Sequence, residues 1–129
     1  VAVPGEIKGL WELHKNYGKL KWKTLLQPVI ELCQKGHIVS PYLNNVLTGS
    51  EQEILNEPSM AEVFINPITN KTFKLGEKIR RLKLAQTLEI LAAEGADAIY
   101  GGGELGKNMV KDVRDRGGIL SEDDLMEYR

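Results

Sequence analysis

Lys83-Leu84-Ala85-Gln86-Thr87-Leu88-Glu89-Ile90-Leu91-Ala92-Ala93-Glu94-Gly95 is the stretch that decides the fold class. Leu84, Ala85, Leu88, Leu91 and Ala92 recur at the three- and four-residue spacing that gathers side chains on one face of a helix. The run is also longer than the roughly 5–6 residues of an ordinary strand. Gly95 then supplies a residue that adopts the left-handed conformation in which helices end. The pattern predicts an amphipathic helix over 83–94.

Working outward, the same periodicity recurs on both sides. Beyond the glycines at 101–103, Leu105, Met109 and Val113 predict another helix, stopped by Gly117-Gly118. Ser121 faces Asp124 three residues on, an Asp version of the capping box, with Glu122 and Asp123 suited to the helix dipole. Upstream, Ile7, Leu10, Trp11 and His14 predict a helix over 6–17 with Gly18 as its stop. A second helical stretch begins at Trp22, with Leu25, Leu26, Val29, Ile30, Leu32 and Cys33 as one broad apolar stripe and Gly36 after its end. Pro28 lies inside it and lacks an amide donor, which predicts a kink or two short helices. Ser40-Pro41 reads as an N-cap and first helical residue, opening a helix with Tyr42, Leu43, Val46 and Leu47 inward. Gly49 interrupts it, and Ile54, Leu55, Met60, Val63 and Phe64 predict one or two further short helices. Asn66-Pro67 through Lys74 reads as a surface loop or small hairpin. Val1-Ala2-Val3-Pro4-Gly5 reads as the tail of a strand, and both ends read as cut from something longer. Residues 1–129 are thus expected to be one incomplete segment, mainly α, with no internal domain boundary.

The chain has 129 residues, a mass of 14.4 kDa, 42% hydrophobic and 27% charged residues. Seventeen basic residues against 18 acidic ones give a formal charge of -1, which excludes a generalised basic footprint for nucleic acid. No apolar stretch approaches the ~20 residues that span a bilayer. One cysteine, Cys33, excludes an internal disulfide scaffold.

Several motifs invite chemistry and have simpler readings. Gly101-Gly102-Gly103-Glu104-Leu105-Gly106-Lys107 satisfies two phosphate-loop patterns, but Asn108 stands where the P-loop needs a hydroxyl for Mg²⁺, and no hydrophobic strand precedes it. A glycine-rich turn between helices is the reading adopted. Cys33 and His37 would share a helix face only if the helix ran through Gly36, so Cys33 is assigned to the core. His14 has no acidic partner at ligand spacing. Glu122, Asp123 and Asp124 lack the loop that wraps a cation, and capping accounts for them. Lys78, Arg80, Arg81 and Lys83 form a short basic run without interleaved aromatics, read as a solvated patch. Asn70-Lys71-Thr72 is an N-glycosylation sequon in the expected surface loop, with meaning only for a secreted protein.

Taken as a string, the chain resembles the large subunit of the γ-glutamyltranspeptidases (glutathione hydrolases) over essentially its whole length. Val1-Ala2-Val3-Pro4-Gly5-Glu6-Ile7-Lys8-Gly9 is similar to that family's V-x-V-P-G-x-x-x-G segment, followed at the family's spacing by His14, Tyr17-Gly18, Trp22, Pro28 and Gly36. The second block is the more specific. Leu84-Ala85-Gln86-Thr87-Leu88, Gly95, Tyr100-Gly101, Gly117-Gly118, Asp124-Leu125 and Tyr128-Arg129 follow the family pattern in order. Departures are Leu82 where the family often has Pro, Ile99 where many members have Phe, and Ala61 and Ile65 where vertebrate relatives carry a cysteine pair.

The resemblance implies an αββα sandwich of the N-terminal-nucleophile hydrolases, formed when a precursor cleaves itself into large and small subunits. A new N-terminal Thr of the small subunit would attack the γ-glutamyl carbonyl of glutathione, with its own α-amine as base. The glutamyl group would then pass to water, an amino acid or a dipeptide. It also implies an extracellular or plasma-membrane location, the small subunit as partner, and no cofactor, metal or nucleic acid. Thr24, Thr48, Thr69, Thr72 and Thr87 are the five threonines, and none sits in the Asp-Thr-Thr-His cleavage context. No Arg-Glu pair matches the family's donor-binding motif. No residue here is therefore assigned a catalytic or substrate-binding role, and the segment is expected to be a helical scaffold, inactive alone. The alternative is a truncated, enzyme-dead relative acting as a helical protein-interaction module.

Overall fold

Helices dominate because the apolar spacing does, and the computed structural model, which describes residues 2–129, places them where the glycines and caps punctuate the sequence. They are α1 Glu6–Tyr17, α2 Trp22–Lys35, α3 Pro41–Gly49, α4 Glu51–Asn56, α5 Pro58–Phe64, α6 Leu82–Glu94, α7 Asp97–Tyr100, α8 Glu104–Asp115 and α9 Glu122–Met126. Four two-residue strands, β1 His37–Ile38, β2 Ile65–Asn66, β3 Lys71–Thr72 and β4 Lys78–Ile79, make two antiparallel pairs, β1 with β4 and β2 with β3.

The residues group into two compact units, a division that composition does not announce. One comprises the chain up to Pro28 together with Gln86–Arg129, and the other comprises Val29–Ala85. The crossings fall inside α2 and α6, so no Pro/Gly-rich linker marks them.

In the first unit, Leu91, Ala96, Ala98, Ile99, Tyr100, Val110, Leu120 and Leu125 form the buried cluster, with Ile7, Trp11, Leu26 and Leu88 packed on it. Gly95 ends α6 at φ +66, as the stop signal requires. Ser121 Oγ accepts from the Asp124 amide, and the Asp124 carboxylate accepts from the Ser121 amide, completing the capping box of α9. On α1 the inward face is Ile7, Trp11 and His14, while Leu10 is exposed.

In the second unit, Val39, Leu47, Ile54 and Ile79 are buried together against Leu43, Val63, Phe64, Ile65 and Phe73. Ser40 caps α3, its Oγ accepting from the Leu43 amide at 3.2 Å with Pro41 at the first position. Gly36, at φ +88, ends α2 by donating to the Leu32 carbonyl.

Four expectations are corrected. Pro28 sits within one continuous helix, so of the two outcomes expected for it the division into two short helices does not occur. The amide it lacks would have bonded the Thr24 carbonyl, and Thr24 lies on an exposed first turn that water reaches. Tyr42 and Val46 face outward, since α3 has one core-facing stripe and Leu43 and Leu47 occupy it. The apolar stripe of α2 is split likewise: Ile30 and Cys33 are buried, whereas Leu25, Val29 and Leu32 are exposed. Ala2–Gly5 is no strand, and Val1 lies outside the described residues. Pro4 has no amide to give a ladder, and a tyrosine hydroxyl takes its carbonyl.

Candidate functional site

The motif residues scattered along the sequence come together twice in the first unit. At the first place, the short α7 ends on Tyr100, buried to 6% exposure. Its hydroxyl donates to the Pro4 carbonyl. Burial holds the Tyr100 phenol above its ordinary value, outweighing the opposing hydrogen bond to the Lys8 backbone, so this hydroxyl stays a donor at neutral pH. Tyr128 stacks on Tyr100 with ring centroids 6.0 Å apart and planes 24° off parallel. Lys8 Nζ stands 5.4 Å from the Tyr100 centroid and 5.8 Å from that of Tyr128, and donates to the Tyr128 carbonyl. Gly5 leaves room for this stack: a Cβ there would lie 2.0 Å from Tyr128 Oη and would displace that ring.

At the second place three rings meet. The Trp11 and Trp22 centroids are 5.0 Å apart, edge to face, and His14 stacks on Trp11 at 6.0 Å. His14 Nε2 lies 2.7 Å from the Leu20 carbonyl, so the ring donates there in its Nε2–H tautomer, and Nδ1 is left buried without a partner among the described residues. Trp22 Nε1 donates to the Leu91 carbonyl at 2.8 Å, an oxygen that also accepts from the Gly95 amide. A Cβ at Gly95 would fall 2.7 Å from the Trp11 ring, and one at Gly18 2.4 Å from His14.

What these arrangements do is hold chain together. Each joins segments distant in sequence through rings, backbone carbonyls and glycine clearances. Neither pairs a nucleophile with a base, since the groups present are phenol, indole, imidazole on a carbonyl, and ammonium.

The other candidates fall elsewhere. The glycine-rich stretch is a helix-to-helix turn: Gly102 has φ +80, and Gly103 and Gly106 let α8 approach the α7 backbone, where added Cβ atoms would lie 2.6 Å from Ala98 O and 2.2 Å from Ile99 O. Cys33 is buried, while His37 lies on β1 opposite Ile79, so the two share no helix face. Hydrogen bonds from Ser121 hold the Asp124 carboxyl below its ordinary value, and Glu122 and Asp123 sit exposed in the first turn of α9. Arg80 and Arg81 are exposed, and Lys83 pairs with Glu62 at 2.6 Å. Among the described residues, no group of three or more His, Cys, Asp or Glu is placed to hold a metal ion.

Asn70 closes the four-residue turn between β2 and β3, exposed and at φ +53, a conformation asparagine tolerates. Its sequon partner Thr72 is wholly buried. Thr72 Oγ1 donates to Glu51 Oε2 at 2.6 Å and the Thr72 amide donates to the same oxygen at 3.1 Å. Lys74 Nζ lies 3.3 Å from that oxygen, and these bonds hold the Glu51 carboxyl below its ordinary value, the Thr72 hydroxyl contributing most. Sequence reading missed this latch, and missed Lys8 as the cation over the tyrosines. A lone Lys or Glu in a helix carries no signal of a partner far along the chain.

The family model described as Gamma-glutamyltranspeptidase matches residues 1–129. Glutathione hydrolase 3 of Arabidopsis thaliana is 41% identical over 129 residues, covering 100% of this chain and 20% of that protein. The Glutathione hydrolase 5 proenzyme of Rattus norvegicus is 37% identical over 130 residues, covering 100% of this chain and 22% of its own length. The crystal structure of Helicobacter pylori gamma-glutamyltranspeptidase superposes with a TM-score of 0.88 at 28% identity, over 98% of this chain and 36% of that one. The chain thus spans about a fifth of the length of these curated relatives. With the motif positions Pro4, Gly5, Tyr100 and Tyr128 meeting at one place and the match running from end to end, the chain belongs to the γ-glutamyltranspeptidase family.

Proposed function

We propose that this chain is the helical scaffold portion of the large subunit of an enzyme that cleaves the γ-glutamyl bond of glutathione and its conjugates. The glutamyl group passes to water, an amino acid or a dipeptide. One observation carries the reading: the family match covers every residue of this chain yet only about a fifth of each curated relative, and the motif residues Gly5, Trp22, Gly95, Tyr100 and Tyr128 serve packing and backbone contacts. The catalytic Thr and the groups that hold the glutamyl moiety then belong to the rest of the protein, and these helices support the wall on which they sit. The partner is the small subunit cut from the same precursor, a reading supported by the rat relative's description as a proenzyme. The location is the extracellular face of the plasma membrane or the secreted space, with Asn70 as a glycan acceptor.

The experiment recovers the native protein with an antibody against this segment. Its intact size and its release of anilide from a γ-glutamyl anilide are then recorded. A heterodimer several times larger than 14.4 kDa that turns over the substrate is the expected result. A native chain of this size without turnover overturns it in favour of an enzyme-dead interaction module.

A further inference from the structure

From the placement of Asn70 and Thr72 we infer that the sequon is a glycan acceptor only before β3 docks on α4, and is closed to the glycosyl transferase once the chain has folded. The inference rests on the secretory location proposed above.

The two halves of the sequon are separated by burial. Asn70 is exposed at the turn, and its amide N–H donates to the Asn66 carbonyl at 2.9 Å. Thr72 has no exposure at all, and its hydroxyl hydrogen is committed to Glu51 at 2.6 Å. β3 is also paired with β2, Ile65 opposite Thr72 and Asn66 opposite Lys71. The turn is stiffened by Asn66, whose Oδ1 accepts from the Ile68 amide and whose Nδ2 donates to Glu77.

Transfer needs more than an accessible asparagine. The donor is an oligosaccharide on a lipid pyrophosphate, held by the transferase. Asn70 Nδ2 forms the bond to the anomeric carbon. The carbon–oxygen bond to phosphate breaks, its electron pair leaves with the lipid pyrophosphate, and the amide proton goes to a base of the transferase. A reaction that requires a hydroxyl two residues after the asparagine must contact that hydroxyl. In the folded chain the contact is blocked, because Thr72 faces Glu51 and lies under Lys74. The modifiable state is therefore the chain with this hairpin open, either nascent or locally unfolded.

The test compares two preparations of the full chain, each presented to microsomal membranes carrying the transferase and its lipid-linked donor. One is synthesised in the presence of the membranes. The other is folded first, without glycan, and then added. The readout is a mobility shift that an N-glycan amidase removes and Asn70→Gln abolishes. We expect the nascent chain to be modified and the prefolded chain to be modified about tenfold less or worse, the factor given by a local opening free energy of about 1.4 kcal/mol. Glu51→Gln, which weakens the latch, raises modification of the prefolded chain. So does releasing wild-type chain from urea directly into the membranes, which covers the case of a poorly folding variant. Equal modification of nascent and prefolded chains overturns the inference and leaves Asn70 an acceptor. A nascent chain with no shift dependent on Asn70 overturns the acceptor reading itself.

Discussion

The Tyr100 hydroxyl donates to the backbone carbonyl of Pro4, a bond across 96 positions of sequence. It ties the irregular opening segment to the end of a helix of only four residues. Such a short helix has no stability of its own. Its position comes from Ala98, Ile99 and Tyr100 all being buried and from this tether.

Removing only that hydroxyl tests the tether. Tyr100→Phe keeps the ring, its stacking on Tyr128 and the Lys8 ammonium over it, and removes the hydroxyl's bonds to the Pro4 carbonyl and the Lys8 backbone. It should lower stability by about 1–2 kcal/mol, at about 1 kcal/mol for each intramolecular hydrogen bond. Urea unfolding checks it: the midpoint falls while the slope is unchanged. An unchanged midpoint means that the Pro4 carbonyl is equally well served by water.

Acid should loosen the chain through two carboxylates. Glu51, bonded by Thr72 and Lys74, and Asp124, bonded by Ser121, are both held below their ordinary values in the fold. A depressed folded value means stability that is fully present above the unfolded value and lost as pH falls through the folded one. The ordinary values are 4.5 for Glu51 and 3.8 for Asp124, so the loss begins as pH drops below about 5 and continues past both. Glu51→Gln should be less stable than wild type at pH 7, and the gap should narrow at pH 3. Thermal melts across that range decide; a constant gap would show that the carboxylate's charge is not what matters.

Pro28 offers a gain in stability. Inside α2 it removes one backbone hydrogen bond, and it is exposed, so its ring fills no core. Pro28→Ala should stabilise by roughly 1–3 kcal/mol, the interior-helix penalty less the entropy that proline removes from the unfolded chain. The denaturant midpoint reads this directly. A loss of stability instead would mean that the proline sets a bend on which packing depends.

How much of this was legible depends on the range of the signal. Gly18, Gly36, Gly95, Ser40-Pro41 and Ser121 act within a few residues, so the helix ends could be read from them. The turn at Asn66–Lys74 was legible as loop or hairpin for the same reason. By contrast, β1 and β4 are two residues each, lie about 40 positions apart and have no alternation to reveal them. The four residues of α7, between a glycine stop and a glycine cluster, are too few to show a helical period. Tyr42 and Tyr100 show the limit from another side: both are aromatic and lie in helices, yet one is 79% exposed and the other 6%, a difference set by neighbours far along the chain. The motif positions Pro4, Gly5, Tyr100 and Tyr128 could be quoted in order, but their meeting at one place is a fact of the fold.

Glycines on two helices should respond in opposite directions. Gly9 lies within α1 with nothing within 4 Å of where its Cβ would be, so Gly9→Ala removes backbone entropy from the unfolded chain at no steric cost. It should stabilise by about 0.5–1 kcal/mol. Gly106, within α8, faces the α7 backbone, where a Cβ would stand 2.2 Å from the Ile99 carbonyl oxygen and 3.3 Å from the Leu125 side chain. Backbone cannot rotate away as a side chain can, so Gly106→Ala must push α8 off α7 and disturb the cluster around Ile99, Val110 and Leu125. The penalty should reach about 2–4 kcal/mol, the overpacking range with backbone displacement added. Paired thermal melts of the two variants check both signs at once. A Gly106→Ala protein as stable as wild type would show that α7 yields, and with it the tether from Tyr100 to Pro4.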